Sequence, residues 1–148
     1  MSLDQRTAVI GVGYEGNDLD AFLRQLRSHG VSCLIDVRLT PISRKPGFSK
    51  RRLSESLTQQ GIDYIHLPQL GNPKWNRLGF AGSAAELAEA RTNYETHIAS
   101  AEAVAALDEI ALWAQKGRVA LLCFEADERR CHRSVILELI RRHMSQVA

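Results

Sequence analysis

The sequence predicts an α/β fold built on a small parallel sheet of four or five strands flanked by helices. Three observations carry that expectation. Four short apolar runs are bounded by glycine, proline or polar residues, as buried strands are. Between them lie segments with apolar residues three and four apart, the spacing of one helix face. The two kinds alternate along the chain, and strands that are apolar on both faces belong to parallel sheets covered by helices on each side.

Residues 7–13 (TAVIGVG) form the first predicted strand, stopped by glycines. Asn17 or Asp18 caps a helix whose stripe is Leu19, Phe22, Leu23 and Leu26, and Gly30 ends it. Residues 31–37 (VSCLIDV) are the second strand. Pro41, Pro46 and Gly47 make a loop, and Leu53 and Leu57 mark a short helix closed by Gly61. Residues 62–67 are the third strand. Residues 67–82, with two prolines and three glycines, read as a long irregular stretch. Ser83 caps an alanine-rich helical region that reaches Lys116 with a break near Ala99-Ser100, and Gly117 ends it. Residues 118–124 are the fourth strand, and a last helix runs from Cys131 to about His143 over Val135, Ile136, Leu139 and Ile140. The arrangement is Rossmann-like, and 148 residues fit a single domain, 1–148.

Composition narrows the function classes. Hydrophobic residues make up 45% and charged residues 24%, which excludes a disordered or fibrous chain. No apolar run approaches the roughly 18 residues of a membrane span, and Met1 to Arg6 lead into no signal-type core. Three cysteines without CxxC spacing fit reduced thiols in the cytoplasm. A net charge of +2 is too mild to mark a nucleic-acid binder. Its distribution is more informative, since residues 37–54 hold six basic side chains and no acid, a positive field for anions.

Parallel strands place their carboxyl ends along one edge, where open α/β sheets hold ligands. Tyr14 and Glu15, Asp36 and Arg38, Ser43-Arg44, His66, Glu125 and Cys131-His132-Arg133 should share that rim. Arg38, Arg44 and Arg133 suit the paired oxygens of a phosphate or carboxylate. Arg38 could instead brace Asp36 or Glu125. Glu125, following a strongly apolar strand, is the candidate catalytic carboxylate, with His132 and Cys131 in support. Asp36, Tyr14, His66 and Lys74 complete the candidate ligand-binding set. Trp75 and Phe80 near Lys74 and Arg77 interleave aromatics with positive charge, as a base-stacking surface does, or pin the loop to the core.

Three further motifs carry less weight. Cys123 to Arg129 has the Cys-x5-Arg spacing of cysteine phosphatases, but Glu125, Asp127 and Glu128 would repel a phosphate from that loop. Gly11-x-Gly13-x-x-Gly16 matches a dinucleotide fingerprint, with Asp36 as its acid, yet Glu15 lies in the turn a pyrophosphate would enter. Cys123, Cys131 and His132 have no usual metal-site spacing, so no metal and no cofactor is expected.

Four stretches together resemble a known family: Gly11 to Gly16 (GVGYEG), Asp36 to Lys50 (DVRLTPISRKPGFSK), Gly61 to Lys74 (GIDYIHLPQLGNPK), and Leu122 to Asp127 leading to Cys131-His132-Arg133. The chain is similar over nearly its whole length to the Domain of Unknown Function 488 family. That resemblance implies an α/β domain with these motifs gathered at one site, and it supplies no reaction. The expected role is binding of a phosphate-bearing small molecule or nucleic acid, with hydrolysis or transfer of the phosphate. The alternative is a non-catalytic nucleic-acid-binding or regulatory module.

Overall fold

A computed structural model describes residues 8–147; the Met1–Arg6 segment lies outside them. The strands are β1 (Val9–Gly13), β2 (Val31–Asp36), β3 (Asp63–His66) and β4 (Arg118–Cys123). The helices are α1 (Leu19–Ser28), α2 (Lys50–Gln59), α3 (Lys74–Phe80), α4 (Ala84–His97), α5 (Ala101–Lys116) and α6 (Arg133–Val147). All four strands are parallel, in the order β1-β4-β2-β3, so the two central strands are the two most apolar ones.

Strand side chains alternate between two cores, as a pleated sheet requires. Val12, Leu34, Ala120 and Leu122 face Phe22, Leu23, Leu26, Leu53 and Leu57 of α1 and α2. Val9, Cys33, Ile35, Val119, Leu121 and Cys123 face the opposite layer, made by Phe80, Tyr94, Ile110, Val135, Ile136 and Ile140. The helix starts follow their capping residues. Asp18 accepts from the Ala21 amide at 2.8 Å, Ser83 and Glu86 form a reciprocal capping box, and Ser100 opens α5 after the break that divides the alanine-rich region.

Two expectations need correcting. Residues 67–82 are not irregular throughout: Pro68–Leu70 form a 3-10 turn and Lys74–Phe80 form α3. This helix lacks an apolar stripe because amide bonds replace it. The Asn76 side chain donates to the Ala90 carbonyl at 2.9 Å and to Asn72 Oδ1 at 3.0 Å. The last helix begins at Arg133 rather than Cys131, because a 3-10 turn at Glu128–Arg130, capped by Asp127, intervenes and leaves Cys131 extended. Among the described residues no helix is long and apolar enough to cross a membrane.

The glycines of β1 have a packing explanation. A Cβ on Gly13 would fall inside contact distance of the Glu125 carbonyl, and one on Gly11 would meet Glu128 and Arg133. The chain after β4 therefore lies against β1, where a dinucleotide pyrophosphate would have to sit. Gly13→Ala should cost about 1–3 kcal/mol by forcing that chain away, read as a lowered urea midpoint. A midpoint unchanged from wild type would show that the contact is not tight.

Candidate functional site

The carboxyl edge of the sheet is organised around residues 36–38. Asp36 is completely buried, and its carboxylate takes two guanidinium bonds from Arg38, at 2.9 and 2.7 Å, and the Tyr64 hydroxyl at 2.5 Å. Burial alone would lower the Arg38 pKa, but the hydrogen bonds and charge of Asp36 raise it above its ordinary value. Burial, followed by the Asp36 charge, raises the Tyr64 hydroxyl. The rest of the Arg38 fork goes to the Phe48 carbonyl at 2.7 Å and the Tyr14 hydroxyl at 3.3 Å. His66 Nε2 lies 2.8 Å from the Arg38 carbonyl. Arg38, Asp36, Tyr14 and His66 thus stitch the edge together, and the bracing reading of Arg38 is the one its contacts match.

Arg133 has a similar use. It is 1% exposed and donates to Cys123 Sγ at 3.0 Å and to the Glu125 carbonyl at 2.5 Å, so it holds the segment after β4 from beneath. Burial lowers its pKa, against the pull of Glu128, Glu125 and Asp127. Arg129, the arginine of the Cys-x5-Arg spacing, is exposed and bonded to Asp127. The Ala126 amide is taken by Glu15 at 3.0 Å and the Arg129 amide by Asp127 at 3.1 Å. Those N–H groups form no phosphate cradle.

A cavity of about 220 Å³ opens at this edge, lined in part by Tyr14, Arg38, Cys123, Glu125, Cys131 and His132. Half of the ten residues expected at the site are therefore gathered around it. Arg44, Lys74, His66, Asp36 and Arg133 are not in its wall. Arg44 and Lys74 are exposed, and the other three are committed to the braces above. Sequence reasoning missed Arg77 and Arg130 as wall residues. Arg77 Nε donates to the Asn72 carbonyl at 3.4 Å, and Arg130 Nη1 donates to the Gly82 carbonyl at 2.8 Å. Each spends only part of its fork. The carbonyls that hold them belong to the α3 region, whose helix the sequence did not show.

The cysteines also depart from expectation. Cys33 stands alone and buried, and burial, with Asp63 and Glu109, pushes its thiol up to about 12. Cys123 and Cys131, expected as separate thiols, are paired sulfur to sulfur in the cavity wall. Strand β4 delivers the first and the 3-10 turn returns the second, which an eight-residue spacing does not advertise. Glu125 Oε2 lies 3.2 Å from Cys123 Sγ. His132 Nε2 lies 2.8 Å from the Val37 carbonyl, which assigns the ring proton to Nε2 and leaves Nδ1 as an acceptor 3.6 Å from Cys131 Sγ. Burial, with Arg133 and Arg77 nearby, pushes His132 down to about 4 although the Val37 bond opposes it, so the ring is neutral.

Comparison with known proteins gives two matches. The family model described as Domain of unknown function DUF488 matches residues 18–140. No curated protein is matched. A crystal structure from Shewanella putrefaciens CN-32, described as a proposed phosphatase (DUF442), is 17% identical with a TM-score of 0.51, covering 97% of this chain and 72% of that one. The likeness is one of fold.

The bracing role of Arg133 has a direct consequence. Arg133→Met strands the Glu125 carbonyl and Cys123 Sγ without their donor and should cost about 2–4 kcal/mol in urea unfolding. Arg129→Ala, at an exposed ion pair, should stay within about 0.5 kcal/mol of wild type. The reverse ranking would restore the Cys-x5-Arg reading.

Proposed function

We propose that this chain, which belongs to the DUF488 family, binds a phosphate-bearing small molecule at the carboxyl edge of its sheet and hydrolyses or transfers the phosphoryl group. The observation that carries the reading is the cavity whose wall holds Arg77, Arg130 and Glu125. The remaining N–H groups of the two guanidinium forks suit phosphoryl oxygens, and their charge offsets the Glu125 carboxylate. Glu125 takes the proton from an attacking water or alcohol as its oxygen closes on phosphorus, while the ester P–O bond on the opposite side breaks and the leaving oxygen takes a proton from solvent. Arg77 and Arg130 stabilise the charge that builds on the phosphoryl oxygens. His132 and Cys131 shape the wall beside them. At about 220 Å³ the cavity is smaller than the roughly 300–1,000 Å³ of most ligand pockets, which favours a compact phosphate ester or mononucleotide over a dinucleotide.

A second reading has its own support. Trp75 and Leu78 on α3 are 71% and 85% exposed, with Lys74 beside Trp75 in sequence. That face suits base stacking in a non-catalytic nucleic-acid module.

A thermal-shift screen separates the two. A compact phosphate compound at 100 times its dissociation constant adds about 2.7 kcal/mol, a rise of roughly 5 to 11 °C. Arg77→Ala with Arg130→Ala should abolish the rise, while Glu125→Gln should keep it and lose turnover. A rise seen only with oligonucleotides, falling steeply with salt and lost in Trp75→Ala, would establish the module instead.

A further inference from the structure

We propose that Cys123, Cys131 and His132 form a binding site for a thiophilic divalent metal, with zinc the best match, whose open position faces the cavity. The inference does not rest on the anion reading, since it uses neither Arg77 nor Arg130, although both sites share the cavity wall at Glu125, Cys131 and His132. One ligand atom from each of the three residues lies within 4.8 Å of the others, and all three side chains are buried.

Four features favour a metal over a simple disulfide. The first is backbone spacing. The Cα atoms of Cys123 and Cys131 are 7.3 Å apart, wider than the roughly 4.4–6.8 Å a disulfide usually spans. Two thiolates on one tetrahedral zinc stand about 3.8 Å apart, a longer bridge that suits such a backbone. The second is the imidazole. Zinc bonds of about 2.3 Å to sulfur and 2.0–2.1 Å to nitrogen put those two ligand atoms about 3.6 Å apart at a tetrahedral angle. Cys131 Sγ and His132 Nδ1 are 3.6 Å apart.

The third feature is the support behind the ring. His132 Nε2–H donates to the Val37 carbonyl at 2.8 Å, which fixes the ring and turns the Nδ1 lone pair towards the sulfurs. Metal-bound histidines characteristically donate their second nitrogen to a backbone carbonyl or carboxylate in this way. The fourth is charge. Arg133 Nη1 lies 3.0 Å from Cys123 Sγ and stabilises a thiolate there, while Glu125 Oε2, 3.2 Å from the same sulfur, lies in the cavity wall. Three protein ligands with a fourth position left to water is the pattern of a catalytic rather than a closed structural site. Loading starts from the reduced pair: a dithiol reductant supplies two electrons and two protons to the Cys123–Cys131 bond and is itself oxidised to a disulfide, and one Zn²⁺ then replaces the two thiol protons, which leave to solvent.

The test uses the full-length chain, reduced anaerobically and freed of metal with a chelator. Zinc titrated against a chromophoric chelator should bind at one equivalent. Cobalt should give thiolate charge-transfer absorption and the visible bands of a tetrahedral ion. Cys131→Ser and His132→Ala should each weaken binding by more than about tenfold, and Cys33→Ser should leave it unchanged. In wild-type protein, where folding of variants is not at issue, native mass spectrometry should show one zinc gained for two protons lost. Zinc should also protect Cys123 and Cys131 from alkylation. Absence of tetrahedral cobalt bands, or zinc uptake unaffected by loss of either ligand, overturns the proposal. So does a Cys123–Cys131 disulfide that survives reduction of the native protein. Loss of phosphate binding in the Arg77 and Arg130 variants with zinc uptake intact would separate the two sites.

Discussion

A carboxylate with no exposed surface and a guanidinium almost as deeply buried meet at the end of β2, and the geometry of the whole carboxyl edge depends on how that pair is satisfied. The buried Asp36 oxygens are satisfied by the fork of Arg38 and the hydroxyl of Tyr64. Satisfying Arg38 in turn requires the Phe48 carbonyl, which draws the loop after β2 across Tyr14, and the Tyr14 and Phe48 rings stack at 4.5 Å. The same three-residue stretch offers its carbonyls to neighbours. His66 lies against that of Arg38 and His132 against that of Val37. One buried ion pair therefore sets the positions of segments that follow β1, β2, β3 and β4.

Arg133 does for the segment after β4 what Arg38 does for the loop after β2. Arg38 spends its fork on Asp36, the Phe48 carbonyl and the Tyr14 hydroxyl within the cavity wall, and Arg133 ends on Cys123 Sγ and the Glu125 carbonyl behind it. Division of labour follows from burial. Deeply buried arginines must be matched within the protein, whereas Arg77 and Arg130, nearer solvent, can leave part of their forks for a ligand. The close approach of Gly13 to the Glu125 carbonyl completes the design by bringing Glu125 and Cys123 up to the strand edge.

Much of this was legible in the chain. Strand runs stopped by glycine, a cap at Asn17 or Asp18, the Ser83 cap, the break near Ala99-Ser100 and the parallel α/β order are local signals, and local signals survive folding. The rim was legible for Tyr14, Arg38, Glu125, Cys131 and His132 because parallel strands send their successors to one edge. What escaped had no periodicity to betray it. Helix α3 is held by Asn76 amide bonds instead of an apolar stripe, and with it went the placement of Arg77 and Arg130. Whether an arginine binds a ligand or braces a loop depends on carbonyls distant in sequence, such as Phe48 for Arg38. The meeting of Cys123 with Cys131 depends on a 3-10 turn that only Asp127 hints at.

The most direct measurement of the Asp36–Arg38 constraint is a double-mutant cycle in urea with Asp36→Asn, Arg38→Gln and the pair together. Each single change should cost about 3–5 kcal/mol, because it leaves a buried partner unmatched. The double variant should then be more stable than the sum of the two by at least about 1–3 kcal/mol. Single costs below about 1 kcal/mol that simply add would contradict the account, and would mean that the carboxyl edge is held by something other than this pair.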